Sequence, residues 1–289
     1  METLTFESTG NKKDIHAELH IPEGKTKGIV QVLCDFFENA EYYRDLAEFL
    51  CKQGYCVVMA DFIENLEDTA FLSNVKIDIY GLFQIAQIKT GKLPVFLLGQ
   101  GFGSLLARLY VLKYREDLSG IAACSTASGS PTVQIINTVC SFTERFKGRK
   151  YHSKLLARLM FGGYSNGKTV DINWMDSANG IMKRQEQFEK GLDVQGYRNI
   201  AACMTSANTT GWYMGYPKEI PIAFFSGNKD PFGEFGRASE WICENLKFAE
   251  VKSEQFSYEG IGHLVYEQNG QFFNDLSEWL DRISEKDNI

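Results

Sequence analysis

The sequence predicts an α/β domain built on a mostly parallel sheet with helices on both faces, and three observations predict it. Short apolar runs recur along the chain, amphipathic helical stretches separate them, and the composition is that of an average globular protein. The chain has 289 residues, 44% hydrophobic and 23% charged, enough to bury a large single core.

The elements follow in order. DIHAELHIP (14–22) alternates as a half-buried strand does, and KGIVQVLCD (27–35) reads as a fully buried one. The helical stretch YYRDLAEFLCKQG ends at Gly54, a residue suited to the position just past a helix. YCVVMAD (55–61) is the next strand, residues 75–89 carry apolar side chains at helical spacing, and LPVFLLG (93–99) is a strand again. FGSLLARLYVLKYRE (102–116) predicts a helix, and LSGIAACS (118–125) a strand. From 130 to 218 the alternation stops, and the stretch is rich in Lys, Arg, Asn, Gln, Met and aromatic residues with no convincing strand. It reads as a helical cap inserted into a core formed by residues 1–129 and 219–289. IPIAFFSGNKD, FGRASEWICENLKFAE, VKSEQFSYEG and GQFFNDLSEWLDRIS then resume the strand–helix alternation to the end.

Several classes of function are disfavoured. The net charge of −7 argues against nucleic acid, or an anionic membrane, as the main partner of the whole chain. The basic run KGRKYHSK (147–154) reads as a solvated face. Seven cysteines show no C-x-x-C pair, and several lie inside apolar runs, so free core thiols in a reducing compartment are expected. The N-terminal stretch lacks a signal peptide's apolar segment, and no run approaches the ~20 residues of a membrane helix. The expected location is cytoplasmic, with no integral membrane segment. HAELH (16–20) has two histidines but alanine in place of the glutamate of a zinc-binding H-E-x-x-H, and Pro22 follows closely. No metal and no cofactor is expected, and His152 reads as an exposed residue.

The segment that bears most on function is FLLGQGFGSLLARLY (96–110), a strand, a glycine turn and a helix. A pyrophosphate cradle wants G-x-G-x-x-G. Here the third glycine comes one residue early, and the next strand ends without the acidic residue that holds a ribose. A nucleophile elbow wants G-x-S-x-G. Gly99 and Gly103 fill its flanking positions, and Gly101 stands at its centre. The later chain supplies the two other parts of such a site in the expected order: Asp230 in a loop past an apolar strand, and His263 in a glycine-flanked loop past the last one.

With those residues in hand, the sequence resembles the lysophospholipase and monoacylglycerol-lipase branch of the α/β-hydrolases over nearly its whole length. SGNKDP resembles the branch's acid loop, YEGIGHLVYE its histidine loop, and YYRDLAEFL its first helix. The resemblance implies an α/β-hydrolase fold with Asp230 as triad acid, His263 as general base and Gly101 in the nucleophile's place. It also implies an oxyanion hole formed by the backbone N–H groups of Phe36 and Phe102. Three departures bear on activity. Gly101 has no side chain to acylate, Cys34-Asp35 stands where the branch has His-Gly, and Phe62-Ile63-Glu64 stands where it has R-G-H. An inward-pointing Asp35 would oppose an oxyanion. Glycine at an elbow relieves backbone strain. An engineered Ser-to-Gly change would leave the other two departures unexplained.

The expectation is an α/β-hydrolase relative without ordinary serine-hydrolase activity, with Asp230 and His263 hydrogen-bonded and His263 facing an empty or water-filled space over Gly101. The alternative is an enzyme that still uses the His263–Asp230 dyad, with Ser104 and Cys34 as weaker candidates for a replacement nucleophile. In the resembling branch the cap roofs an apolar pocket. That implies a small apolar or acyl-containing ligand, with Cys34, Asp35, Trp174, Trp212 and Tyr213 as pocket residues. Nothing in the sequence fixes an oligomeric state.

Overall fold

In the computed structural model, residues 1–129, 131–162, 175, 188, 191–268 and 270–287 are described. Eight strands form one sheet: β1 (Glu2–Glu7), β2 (Asp14–His20), β3 (Gly28–Leu33), β4 (Tyr55–Ala60), β5 (Val95–Gln100), β6 (Gly120–Cys124), β7 (Ile222–Gly227) and β8 (Ser253–Tyr258). Their spatial order is β1-β2-β4-β3-β5-β6-β7-β8. β2 pairs antiparallel with β1 and β4, and every later pairing is parallel. Every residue of β3, β4, β5, β6 and β7 is buried. This is what helices on both faces impose, and it is why these strands read as continuous apolar runs.

The principal helices are α1 (Arg44–Lys52), α2 (Phe71–Thr90), α3 (Phe102–Tyr110), α4 (Pro131–Lys147), α5 (Lys154–Phe161), α6 (Val194–Ser206), α7 (Thr210–Gly215), α8 (Arg237–Phe248), α9 (Val265–Gln268) and α10 (Gly270–Asp287). Helices α4 to α7 all lie between β6 and β7 in the chain, and among the described residues that stretch holds no strand, only an isolated bridge between His152 and Asp193. α6 packs on α4 and also reaches α2 and α3, so it lies against both the inserted helices and the core.

Two elements depart from the pattern reading. β1 was not evident in the sequence because it is an edge strand on which only Leu4 and Phe6 turn partly inward. Helix α3 stops at Tyr110, although the helical spacing runs on to Glu116. The spacing persists because Tyr114, in the turn that follows, still stacks on Tyr110 and Tyr80 with ring centroids 5.0 and 5.2 Å away.

Candidate active site

The parallel strands end together, and the loops at their C-terminal ends build the site, as open α/β sheets generally arrange it. The turn from β5 into α3 is the sharpest of them. Gly101 sits at φ 50°, ψ −111°, a region that L side chains rarely occupy. Its N–H donates to the Cys124 carbonyl at 2.9 Å. The flanking glycines answer a steric need. A Cβ on Gly99 would lie 2.4 Å from the Gly103 carbonyl oxygen, and one on Gly103 would lie 2.0 Å from that of Leu33. The reversal is therefore this tight only because both positions lack side chains.

Asp230 follows β7 and His263 follows β8. The two loops approach so closely that a Cβ on Gly227 would lie 2.2 Å from the Ile261 carbonyl oxygen. Gln100 Nε2 and Ser125 Oγ both donate to the His263 carbonyl, at 2.8 and 2.5 Å, which fixes the backbone under the ring. His263 Nδ1 lies 2.8 Å from Asp230 Oδ1.

The other ring nitrogen does not face open space. His263 Nε2 lies 2.6 Å from Oδ2 of Asp35, whose Oδ1 accepts the N–H of Phe102 at 2.7 Å. The expected cavity over Gly101 is filled by this carboxylate. A Cβ built on Gly101 would sit 2.1 Å from Asp35 Oδ1, 2.3 Å from its Cγ and 2.4 Å from Oδ2. The space is available because glycine leaves it, and the helix N-terminus draws an anion into it. Asp35, Asp230 and His263 are each 0% exposed.

Electrostatics follow from this geometry. Burial acts to lower the His263 pKa. The charges of Asp230 and Asp35 and their hydrogen bonds outweigh burial and push it up to about 10. This shift, with a carboxylate oxygen facing each ring nitrogen, favours the doubly protonated ring, which donates from both nitrogens. Behind it lies a third acid. Asp35 N–H donates to the Tyr43 hydroxyl, which donates to Glu38, and Tyr266 donates to Glu38 at 2.9 Å. The Tyr43 and Tyr266 rings stack at 4.6 Å, tying the loop after β3 to the segment just past His263. Burial pushes the Cys34 thiol well above its usual range, helped by Asp61, Glu38 and Asp35, so Cys34 is an inert core thiol. Ser104 donates to the Gly101 carbonyl at 2.5 Å and is turned into its own helix.

Aromatic rings cover the site. Phe36 stacks on Phe102 at 4.8 Å and meets Phe161 and Phe232 edge-on at 5.6 and 5.8 Å, while Phe232 lies 5.2 Å from the His263 ring. Trp212 lies against the Arg108 guanidinium at 4.3 Å and donates to the Arg108 carbonyl at 2.6 Å, and Tyr213 meets Trp241. These contacts place α7 beside the C-terminal half of α3. Trp174 lies outside the described residues. Glu38, Tyr43, Tyr266, Phe161 and Phe232 were not read as site residues. Only the aromatic pair that follows Asp35, Phe36-Phe37, offered any signal for such a cluster. No group of three potential metal ligands occurs among the described residues.

A mostly parallel eight-stranded sheet, an elbow between β5 and α3, and acid and histidine loops after β7 and β8 define an α/β-hydrolase. Within that class the chain belongs to the serine aminopeptidase S33 family, whose model matches residues 24–268. No curated protein sequence matches significantly. Among solved structures, a thermostable carboxyl esterase from Bacillus coagulans is 20% identical with a TM-score of 0.87, covering 98% of each chain. A lipase in its open form is also 20% identical, with a TM-score of 0.88, covering 98% of this chain and 99% of its own. A monoacylglycerol lipase from Paleococcus ferrophilus is 17% identical with a TM-score of 0.64, covering 93% of this chain and 99% of its own. These likenesses establish the fold.

Proposed function

We propose that this chain is a family member that does not carry out serine-dependent ester hydrolysis, because Gly101 stands in the nucleophile's place and Asp35 occupies the space of the missing hydroxyl. The supporting observation is the Asp35 carboxylate itself, 2.7 Å from the Phe102 N–H and 2.6 Å from His263 Nε2. Three requirements of acyl transfer are lost together. There is no side chain to acylate, the N–H that would stabilise an oxyanion already serves an anion, and the histidine that would act as base holds its proton. The last point also weighs against a residual His263–Asp230 base, since a general base needs a free lone pair near neutral pH.

The remaining role for the fold is binding. The buried rings of Phe36, Phe102, Phe161 and Phe232 make the surroundings of the site apolar, which supports a small apolar or acyl-containing ligand.

Short-chain p-nitrophenyl esters test the proposal. The protein itself and Gly101→Ser alone are both expected to be silent, the latter because its Cβ collides with Asp35. The double variant Asp35→Gly/Gly101→Ser is expected to gain hydrolysis that a further His263→Ala removes. Turnover by the unmodified protein that disappears in His263→Ala would overturn the proposal.

A further inference from the structure

Helix α4 has apolar residues on two opposite faces, and only one of them is covered. Val133, Ile136 and Cys140 are buried toward the core. On the other side Ile135 is 54% exposed, Phe142 67% and Phe146 66%, with the two phenyl rings 4.7 Å apart. Residues 135, 142 and 146 follow the seven- and four-residue spacings of one helical stripe. Leu155, at the start of α5, is 56% exposed. A surface helix ordinarily needs a single apolar face, so the second requires an occupant.

Charge selects that occupant. Residues 131–161 contain six Lys or Arg and one Glu, in a chain whose net charge is −7. Glu144 engages Arg149, and Glu67 and Asp193 engage Lys150. Arg145, Lys147, Lys154 and Arg158 are exposed and meet no carboxylate among the described residues. A second copy of this face would bring the same cations together across a two-fold axis, so self-association is opposed by its own charge. We infer that the α4–α5 face docks on an anionic lipid surface, with Phe142 and Phe146 entering the interface and these four exposed cations meeting the headgroups. Whole-chain acidity concealed this, because the basic segment is local.

Co-sedimentation with vesicles tests the inference. Vesicles of phosphatidylcholine mixed with phosphatidylglycerol should pellet the protein, and vesicles of phosphatidylcholine alone should bind it at least tenfold more weakly. Raising ionic strength from about 0.1 M to about 1 M shortens the Debye length from about 10 Å to about 3 Å and should release most of the bound protein. Phe142→Glu/Phe146→Glu should lose binding while keeping its circular dichroism and melting temperature, since both side chains face solvent. Absent or equal binding to the two vesicle types overturns the inference, as does undiminished binding by the double variant. A concentration-dependent dimer in sedimentation equilibrium that the double variant abolishes would assign the face to a second copy and overturn it equally.

Discussion

The two ends of helix α3 each adjoin a fully buried cation, and the two cations are held in opposite ways. At its start, His263 stands between Asp230 and Asp35, and its pKa is pushed up to about 10. Near its end, Arg108 meets no carboxylate among the described residues. It donates to Thr126 Oγ1, to the Ala127 and Ala207 carbonyls and to Asn208, and burial pulls its pKa down to about 10. Burial is the same in both places, so partners alone decide the direction. Carboxylates make a weak base hold its proton. Carbonyls merely let a strong base keep one, helped by the negative end of α6, where Ala207 is the last cap residue. Arg108 therefore acts as a fastener between α3 and the inserted helices, whereas the His263 cluster is charge brought together beyond what packing requires.

Removing the fastener should have the largest effect. Arg108→Ala takes the arginine donor from the buried Ala207 carbonyl, leaves the Ala127 carbonyl only a long bond from Asn208 at 3.4 Å, and opens a large cavity under Trp212. A loss of about 4 kcal/mol of unfolding free energy is expected, read as a lower urea midpoint. Arg108→Lys should recover only part of it, because an ammonium cannot span four acceptors as the planar fork does. A loss below about 1 kcal/mol, small for a buried hydrogen-bonded charge, would remove the contrast between the two ends.

A smaller effect is expected at the elbow. Gly101→Ala must adopt φ near +50° and place a Cβ 2.1 Å from Asp35 Oδ1. Strain and overpacking together should cost about 3 kcal/mol. In an Asp35→Gly background only the backbone strain remains, so the same substitution should cost about 1–2 kcal/mol. The difference is a coupling energy that a double-mutant cycle measures directly. Equal costs in both backgrounds would mean that Asp35 does not occupy the space above Gly101.

How much of this was legible in the sequence follows from the range of each interaction. The sheet was legible because strands buried on both faces read as unbroken apolar runs. The elbow was legible because Gly99 and Gly103 answer local steric demands that a short motif records. Asp230 and His263 were legible by their order after β7 and β8. The position of Asp35 was legible only as a departure from His-Gly. Nothing in a linear pattern says that a carboxylate at the end of β3 will reach across to a glycine 66 residues later and accept its neighbour's N–H. Arg108 was hidden for the same reason. Its position in an amphipathic helix predicts a solvated charge, and its acceptors lie on a distant inserted helix. Trp212 and Tyr213 meet the same limit, because composition places aromatics in the inserted helices without saying which part of α3 they pack against.

The smallest and most diagnostic effect per unit change is pH dependence. His263 has its folded pKa raised to about 10 from an ordinary 6.5, so between those values the folded chain holds a proton that the unfolded chain has released. The stabilisation is fully present below about pH 6.5 and is lost as pH rises through about 10. Unfolding free energy should therefore fall with pH in that window, with a slope approaching ~1.4 kcal/mol per pH unit for one proton. Asp35→Asn removes one of the two charges holding the proton, so the folded pKa should drop, the window should narrow, and the His263 ring resonances should titrate nearer neutrality. Arg108→Lys should leave that window where it is, because its environment shares no carboxylate with His263. A flat stability profile between pH 7 and 9, together with a neutral His263 ring in the nitrogen spectrum, would mean that Asp35 and His263 share their proton differently, with Asp35 as the donor. The histidine would then be a usable base, and the contrast between the two ends of α3 would rest on hydrogen bonds and not on charge.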